Sequence, residues 1–215
     1  MEETENYFTP TELNKLLDVA KQQANITNYT ILLTLSYTGL RRGKGFGLTW
    51  NNIDFQNKTL IVERNSGNYG TGTPKTKNSY RTIKIDDTLI DQLRIYKKWS
   101  KEKLLANGLI LTEESFIFID ESGTPSSYEN IRYILIKLIK KNGLPNVTLH
   151  GLRHTHATIL LNNGINVKVI AERLGNTVEM IYTIYGHVLK ELEEKAVDLF
   201  AEILASGANL GASSS

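Results

Sequence analysis

The sequence of 215 residues contains no cysteine, which excludes disulfide bonds and metal sites built from thiolates. No apolar run approaches the roughly 18 residues that indicate a membrane-spanning helix. The N-terminal residues MEETENYFTP are acidic and lack the apolar segment of a signal peptide. The lack of cysteine fits a reducing compartment, and no membrane partner is expected.

The net charge is also small, at +2, and by itself it does not indicate a nucleic-acid partner. The distribution of charge is more informative. Acidic residues cluster in 2–5 and 191–202, whereas 64–103 is rich in lysine and arginine. A basic middle with acidic ends can form one electropositive face. Charge alone equally fits ordinary solvated helix faces.

The sequence predicts an α+β fold that is mostly α-helical and carries a small antiparallel β-sheet. The segment Thr9-Pro10-Thr11-Glu12 has the pattern of a capping box at the start of a helix, and Gly39 is expected to end the next helix. The predicted helices are 10–20, 28–37, 87–106, 127–141, 151–162, 167–174, 178–185 and 189–204. The predicted strands are 58–64, 80–85 and 116–119, where alternating or short apolar patterns occur.

Five polar residues in four segments suggest one kind of chemistry: Arg41, Lys75, His150 with Arg153, and Tyr185. Phosphoryl transfer without a metal requires cationic donors for the charge that develops on phosphorus, and arginine binds phosphate oxygens in a bidentate manner. A tyrosine hydroxyl can attack phosphorus, a lysine in the glycine-rich loop 65–79 can protonate the leaving oxygen, and a histidine can carry a proton. No cofactor is expected for such a reaction.

The motifs TGLRRG, PKTKNSYRTI, HGLRHTHA and LGN…YGHV, in this order, resemble the tyrosine recombinase family, and most closely the integrases of phages and integrative elements. The resemblance implies the fold of the family's catalytic domain over residues 9–205, without the N-terminal DNA-binding domains of the family. It implies cleavage and rejoining of DNA through a 3′-phosphotyrosine, with neither metal nor ATP. Residues 1–8 are predicted to be a tail, and the small, polar composition of 206–215 predicts a disordered tail.

The resemblance also assigns roles to particular residues. Arg41, Arg153 and Asn176 would donate hydrogen bonds to the phosphate, and His150 would donate to it or carry a proton. Lys75 would act as general acid and Tyr185 as nucleophile. Lys77, Arg81 and Arg173 are predicted to contact DNA. The sequence departs from the family pattern at Asn176, where histidine or tryptophan is usual, and at Lys44, where an acidic residue is usual.

The partners that the resemblance implies are double-stranded DNA at attachment or core sites and three further copies of the chain. The C-terminal segment would join these copies into a tetramer on DNA. An excisionase or a host DNA-bending protein would be an accessory partner, and the protein would act in the cytoplasm of a bacterium.

Several alternatives remain open at this level. The segment 157–185 resembles a helix-turn-helix, which would make the chain a DNA-binding module without catalysis. A type IB topoisomerase would share the chemistry. Lys77 is an alternative general acid, and Tyr182 is an alternative nucleophile. His150 and His154 have the spacing of a helical metal pair, but the sequence favours packing or supporting roles for His154 and His156.

Overall fold

The structure, a computed structural model, describes residues 6–63 and 80–211. It confirms the predicted fold class, because α-helices dominate and the strands form a three-stranded antiparallel sheet. The helices are α1 (Pro10–Gln23), α2 (Ile26–Thr38), α3 (Arg42–Phe46), α4 (Asp87–Ala106), α5 (Tyr128–Asn142), α6 (Leu149–Asn162), α7 (Val167–Leu174) and α8 (Val178–Gly211). The strands are β1 (Ile53–Asp54), β2 (Thr59–Glu63) and β3 (Tyr80–Lys84).

The sheet has the order β1-β2-β3, and Leu60 of β2 lies opposite Ile83 of β3. Both side chains are buried, so the sheet covers one side of the apolar core. The strand predicted at 116–119 was wrong: Phe116 and Ile119 each form only an isolated bridge, to Thr49 and Pro125. An apolar tetrapeptide can be buried without pairing along its length, which periodicity alone does not reveal.

The helices begin and end where local chemistry predicts. Thr9 and Glu12 form the expected capping box, and Gly39 adopts a left-handed conformation that ends α2. α2 is buried on almost all sides because it packs against α1, α4, α5 and α6. This central helix fixes the position of its C-terminal end, from which Gly39 and the following arginines project.

The predicted boundaries of the domain were wrong at both ends. Phe8 was placed in an N-terminal tail, but its side chain is fully buried and its backbone N–H donates to Thr155 Oγ1 over 3.0 Å. At the other end, α8 continues to Gly211, so residues 206–211, predicted to be disordered, are helical. Composition does not reveal that a short polar segment continues a preceding helix.

Two predicted helices, 178–185 and 189–204, form the single element α8, which is interrupted at Tyr185 (φ −115°, ψ 20°). The break therefore lies at the tyrosine itself and not at the glycine that follows. Within the described ranges, no helix combines the length and the apolar character needed to cross a membrane.

Arg173 was predicted to contact DNA, but its guanidinium group is used inside the protein. Its Nε donates to His156 Nε2 over 3.0 Å, and its two terminal nitrogens donate to the carbonyl oxygens of Lys84 and Tyr37 over 2.9 and 3.0 Å. His156 Nδ1 in turn lies 2.9 Å from the carbonyl oxygen of Ser36. The structure thus corrects the prediction: Arg173 joins α7 to α6, to β3 and to α2.

We expect Phe8→Ala to lower the free energy of unfolding by about 3–5 kcal/mol, because a large buried side chain would leave a cavity. Urea denaturation measures this change. The matched control is Phe200→Ala, since the Phe200 side chain is 65% exposed, and we expect its effect to stay within about 0.5 kcal/mol. Equal effects of the two substitutions would contradict the placement of Phe8 in the core.

We expect the protein to lose stability as the pH falls from about 6.5 towards about 4. Burial, with a further contribution from the positive charge of Arg173, lowers the pKa of His156 to about 4. In this pH window the unfolded chain binds a proton that the native chain excludes, so protonation favours unfolding. Urea midpoints between pH 7 and pH 5 measure the effect. His156→Gln should weaken this dependence, and the remainder comes from His154, whose pKa burial also lowers to about 4. The control His150→Gln should keep most of the dependence.

Candidate active site

Five of the predicted site residues come together around the end of α7. Arg41 follows α2, His150 and Arg153 lie on α6, Asn176 follows α7, and Tyr185 lies at the break in α8. Hydrogen bonds or charge interactions connect each of them to another member of the group. Lys75 and Lys77 lie outside the described residues.

Three successive carbonyl oxygens at the C-terminal end of α7 each accept a hydrogen bond from a different arginine. The carbonyl of Arg173 accepts from Arg81 Nε over 3.0 Å, that of Leu174 from Arg153 Nη1 over 3.0 Å, and that of Gly175 from Arg41 Nη1 over 3.3 Å. The last carbonyls of a helix lack partners within the helix and carry partial negative charge. The end of α7 therefore attracts and orients three positive groups.

Two glycines make this convergence possible. Gly175 has φ +66°, and a Cβ atom there would overlap the guanidinium group of Arg81. Gly39 has φ +61°, and a Cβ atom there would overlap Leu174 and the ring of His156. Both positions have a left-handed backbone, so any other residue would be strained. A Cβ atom at Gly39 would also push the end of α2 away from α6 and α7, whereas one at Gly175 would displace the guanidinium group of Arg81.

Arg153 is held firmly but not completely satisfied. It is buried, and its Nη1 donates to the carbonyl oxygens of Gly39 over 2.7 Å and Leu174 over 3.0 Å. Its Nη2 is buried and has no hydrogen-bond partner among the described residues. Since a buried donor without a partner costs free energy, this nitrogen is well suited to bind an anionic ligand.

The surroundings of Arg153 are positively charged. Burial, followed by the charges of Arg41 and Arg81, affects its guanidinium group and lowers its pKa to about 10. Within residues 6–63 and 80–211, neither Arg41 nor Arg153 forms an ion pair with a carboxylate. A negatively charged ligand would relieve this repulsion. The same residues contain no group of three His, Cys, Asp or Glu side chains placed to hold a metal ion.

Asn176 acts directly on Arg41. Its side-chain oxygen accepts a short hydrogen bond, 2.5 Å long, from Arg41 Nη2. An amide can do this without charge, and its NH₂ group is a donor for a further ligand. The asparagine in place of the usual histidine or tryptophan therefore holds an arginine in position.

Tyr185 is almost completely buried, with 3% of its surface exposed, whereas Tyr182 is 55% exposed. Burial raises the pKa of Tyr185 to about 12, although the charges of Arg153 and Arg41 act in the opposite direction. Its hydroxyl oxygen lies 3.1 Å from His154 Nδ1. Tyr185, and not Tyr182, is therefore the tyrosine that faces the arginine cluster.

His150 and His154 lie one turn apart on α6, and their rings meet edge to face with centroids 4.7 Å apart. Much of the His150 surface is exposed, but protein atoms partly enclose its ring. This partial burial, followed by the charges of Arg153, Arg41 and Arg42, lowers the pKa of His150. Sequence analysis predicted only a packing or supporting role for His154. The spacing His150-x-x-x-His154 was the available signal, but only the structure shows that His154 faces Tyr185.

Arg81 lies inside the cluster, since its side chain covers Gly175 and its charge affects Arg153. Its predicted contact with DNA stays a prediction. The sequence also gave no role to the carbonyl oxygens of Gly39, Leu174 and Gly175, because no side-chain motif identifies a backbone acceptor.

Comparison with known proteins shows which family this chain resembles in sequence and in fold. The profile described as the phage integrase family matches residues 6–191. A "Tyrosine recombinase XerC-like" protein of Caldanaerobacter subterraneus subsp. tengcongensis is 30% identical over 214 residues, which cover 91% of this chain and 54% of that protein. The ICEBs1 integrase of Bacillus subtilis is 28% identical over 205 residues, covering 92% of this chain and 55% of the relative.

Solved structures show the same fold. The Tn1549 transposon integrase in complex with transposon right end DNA has a TM-score of 0.69 and 25% identity, covering 90% of this chain and 66% of its own. The XerA recombinase has a TM-score of 0.68 and 25% identity, and the match covers 88% of this chain and 64% of the XerA chain. The catalytic domain of bacteriophage HP1 integrase has a TM-score of 0.57, and the match covers 89% of this chain and 93% of that domain. At 23% identity it shows the fold alone.

The chain spans about half the length of the curated relatives that it matches. Its predicted resemblance is confirmed over nearly the whole sequence, both by the family profile and by structures of recombinases and integrases. The chain belongs to the phage integrase family and has the fold of a tyrosine recombinase catalytic domain.

Proposed function

We propose that this chain cleaves and rejoins DNA strands at specific sites, with Tyr185 as the nucleophile. The observation that carries the proposal is the buried Nη2 of Arg153, which lacks a partner among the described residues and belongs to the positive cluster that acts on Tyr185. A phosphodiester of DNA supplies the negative charge and the acceptor oxygens that this group requires.

In the proposed reaction, Arg41 and Arg153 bind the non-bridging oxygens of one phosphodiester. The hydroxyl oxygen of Tyr185 forms a bond to phosphorus, and the bond from phosphorus to the 5′ oxygen breaks. Lys75, the predicted general acid, protonates the leaving oxygen, while His150 and the NH₂ group of Asn176 donate to the phosphate. Attack by the 5′-hydroxyl group of another strand then reverses the step, so the covalent bond conserves the energy for rejoining.

The positive cluster also explains how a tyrosine with a high pKa can react. Burial disfavours the phenolate, but the charges of Arg153 and Arg41 favour it. In the transition state these arginines stabilise negative charge that is shared between the attacking oxygen and the phosphate. The resting site therefore keeps Tyr185 protonated, and reaction requires a phosphate that is correctly bound.

The alternatives explain less of the site. In a helix-turn-helix DNA-binding module, α6 and α7 would face DNA for recognition, but here they hold Arg153, Asn176 and the scaffold residue Arg173. The family match also favours recombination over relaxation by a type IB topoisomerase. The complex of the related Tn1549 integrase with transposon right end DNA supports DNA as the partner.

We further propose that α8 joins copies of the chain on DNA, as the sequence suggested for its C-terminal segment. Beyond Leu192 the helix has exposed apolar side chains at Val197, Leu199, Phe200, Ile203 and Leu204. An apolar surface of this kind on a projecting helix favours contact with another protein surface. The described structure thus supports docking onto a neighbouring copy over packing within the same chain.

We expect Tyr185→Phe to abolish the covalent adduct with DNA and Tyr182→Phe to preserve it. The probe is a pool of nicked duplexes with a randomised centre, in which the strand beyond the nick diffuses away and traps the adduct. Denaturing gels detect the adduct, and mass spectrometry locates the modified tyrosine. An adduct on Tyr182, or DNA binding by the wild type with no adduct, would refute the proposed function.

We expect Arg153→Lys to slow adduct formation by about 10²–10³-fold, because one transition-state donor is lost. Single-turnover kinetics on the DNA recovered from the wild-type adduct measures the rate. The control Arg132→Lys changes an exposed arginine paired with Glu129, and it should cleave at the wild-type rate. Wild-type kinetics for Arg153→Lys would show that Arg153 is structural only.

We expect Phe200→Glu to reduce association of DNA-bound copies by at least about tenfold while the monomer stays folded, because a charge would enter the apolar surface of α8. Analytical ultracentrifugation of the protein–DNA complex measures this. Ile110→Glu, at a residue that is 82% exposed and lies outside α8, is the control. Association that is unaffected by Phe200→Glu would exclude this part of α8 as the contact.

A further inference from the structure

We propose that His154 is a catalytic residue: its Nδ1 accepts the hydroxyl proton of Tyr185 during cleavage and returns it during rejoining. This inference rests on the proposed function. It assigns the proton to a histidine for which the sequence predicted only packing or support.

His154 already contacts the hydroxyl group of Tyr185 in the resting site. His154 Nδ1 lies 3.1 Å from the hydroxyl oxygen of Tyr185, which is hydrogen-bond distance. No other hydrogen bond of this hydroxyl occurs among the described residues. Because Tyr185 is buried, bulk water has little access to its proton, so a side chain that already contacts the oxygen is the most direct acceptor.

The protonation state of the His154 ring also suits a base. Burial, followed by the charges of His150 and Arg153, lowers the pKa of His154 to about 4. The ring is therefore neutral at physiological pH, and the tautomer with hydrogen on Nε2 presents a lone pair on Nδ1. An imidazolium ion could not accept the proton. Burial, aided by the neighbouring charges, thus keeps His154 in the form that can act as a base.

Binding of DNA makes His154 a stronger base. Its low pKa depends in part on Arg153, and a phosphate bound to Arg153 and Arg41 would offset that positive charge. The affinity of His154 for a proton therefore rises when the substrate is in place. In the resting site the same residue leaves Tyr185 protonated.

Other groups around the pair are poorer acceptors. His150 and Arg153 act on His154 from its own helix, and Arg41 acts on Tyr185 from the connection between α2 and α3. None of these groups is a carboxylate. His150 is exposed and its ring meets that of His154 edge to face, so it is placed to donate to the phosphate or to exchange protons with solvent.

Cleavage consists of one exchange of bonds at phosphorus and two proton transfers. The bond from the Tyr185 oxygen to phosphorus forms, the bond from phosphorus to the 5′ oxygen breaks, and the phenolic proton moves to His154 Nδ1. The 5′ oxygen leaves with a proton from the general acid, for which we propose Lys75. During rejoining the 5′-hydroxyl group attacks, its proton returns to the acid, and His154 returns its proton to Tyr185.

The test uses single-turnover cleavage of the DNA recovered from the wild-type adduct. His154→Asn keeps a polar group near the position of Nδ1 but cannot accept a proton at physiological pH. We expect it to bind DNA as the wild type does and to form the adduct at least about 100-fold more slowly, the usual contribution of general acid–base catalysis. The wild-type rate should rise with pH through the pKa of His154, and this rise should be absent from His154→Asn.

A second variant separates proton transfer from positioning. His154→Ala should be equally slow, and added imidazole should restore part of its rate in proportion to the concentration of neutral imidazole. Cleavage by His154→Asn within about threefold of the wild-type rate would overturn the proposal, as would failure of imidazole to rescue a folded, DNA-binding His154→Ala. A wild-type chain that forms no adduct would remove the proposed function as well, whereas an unaffected His154→Asn removes this inference alone.

Discussion

The hydrogen bonds between the end of α7 and three arginines determine the arrangement of the whole site. Consecutive carbonyl oxygens of Arg173, Leu174 and Gly175 accept from Arg81, Arg153 and Arg41. A helix end supplies these acceptors without a carboxylate, so it orients the guanidinium groups and leaves their positive charge available. A carboxylate in the same place would hold the arginines equally well but would neutralise the charge that a phosphate must meet.

This arrangement depends on the packing of α6 against both α2 and α7. His156 and Arg173 connect the three helices through hydrogen bonds, and Gly39 allows the end of α2 to approach Leu174 closely. α6 contributes side chains to both apolar clusters of the protein, through Leu152 in the larger and Leu161 in the smaller. The site lies where these two clusters meet, so small shifts in packing would change the distances between its charged groups.

Sequence patterns predicted the elements that depend on near neighbours. The capping box at Thr9, the glycine at position 39 and the bounds of α4 and α7 all follow from residues within a few positions of one another. The predictions that were wrong concern distant contacts: Phe8 is buried by residues far along the chain, and 116–119 is held by isolated bridges. The six residues 206–211 also continue a helix that their composition does not favour.

The sequence alone determined which residue types form the site, because the order of its motifs identified the family and with it Arg41, His150, Arg153, Asn176 and Tyr185. The tertiary structure decided the use of each side chain. Arg153 and Arg173 look alike in sequence, yet one retains a buried donor without a described partner and the other has its donors bound to protein acceptors. The physical reason is that a guanidinium group binds whichever acceptors the packing of separate helices brings to it, and local sequence does not encode that packing.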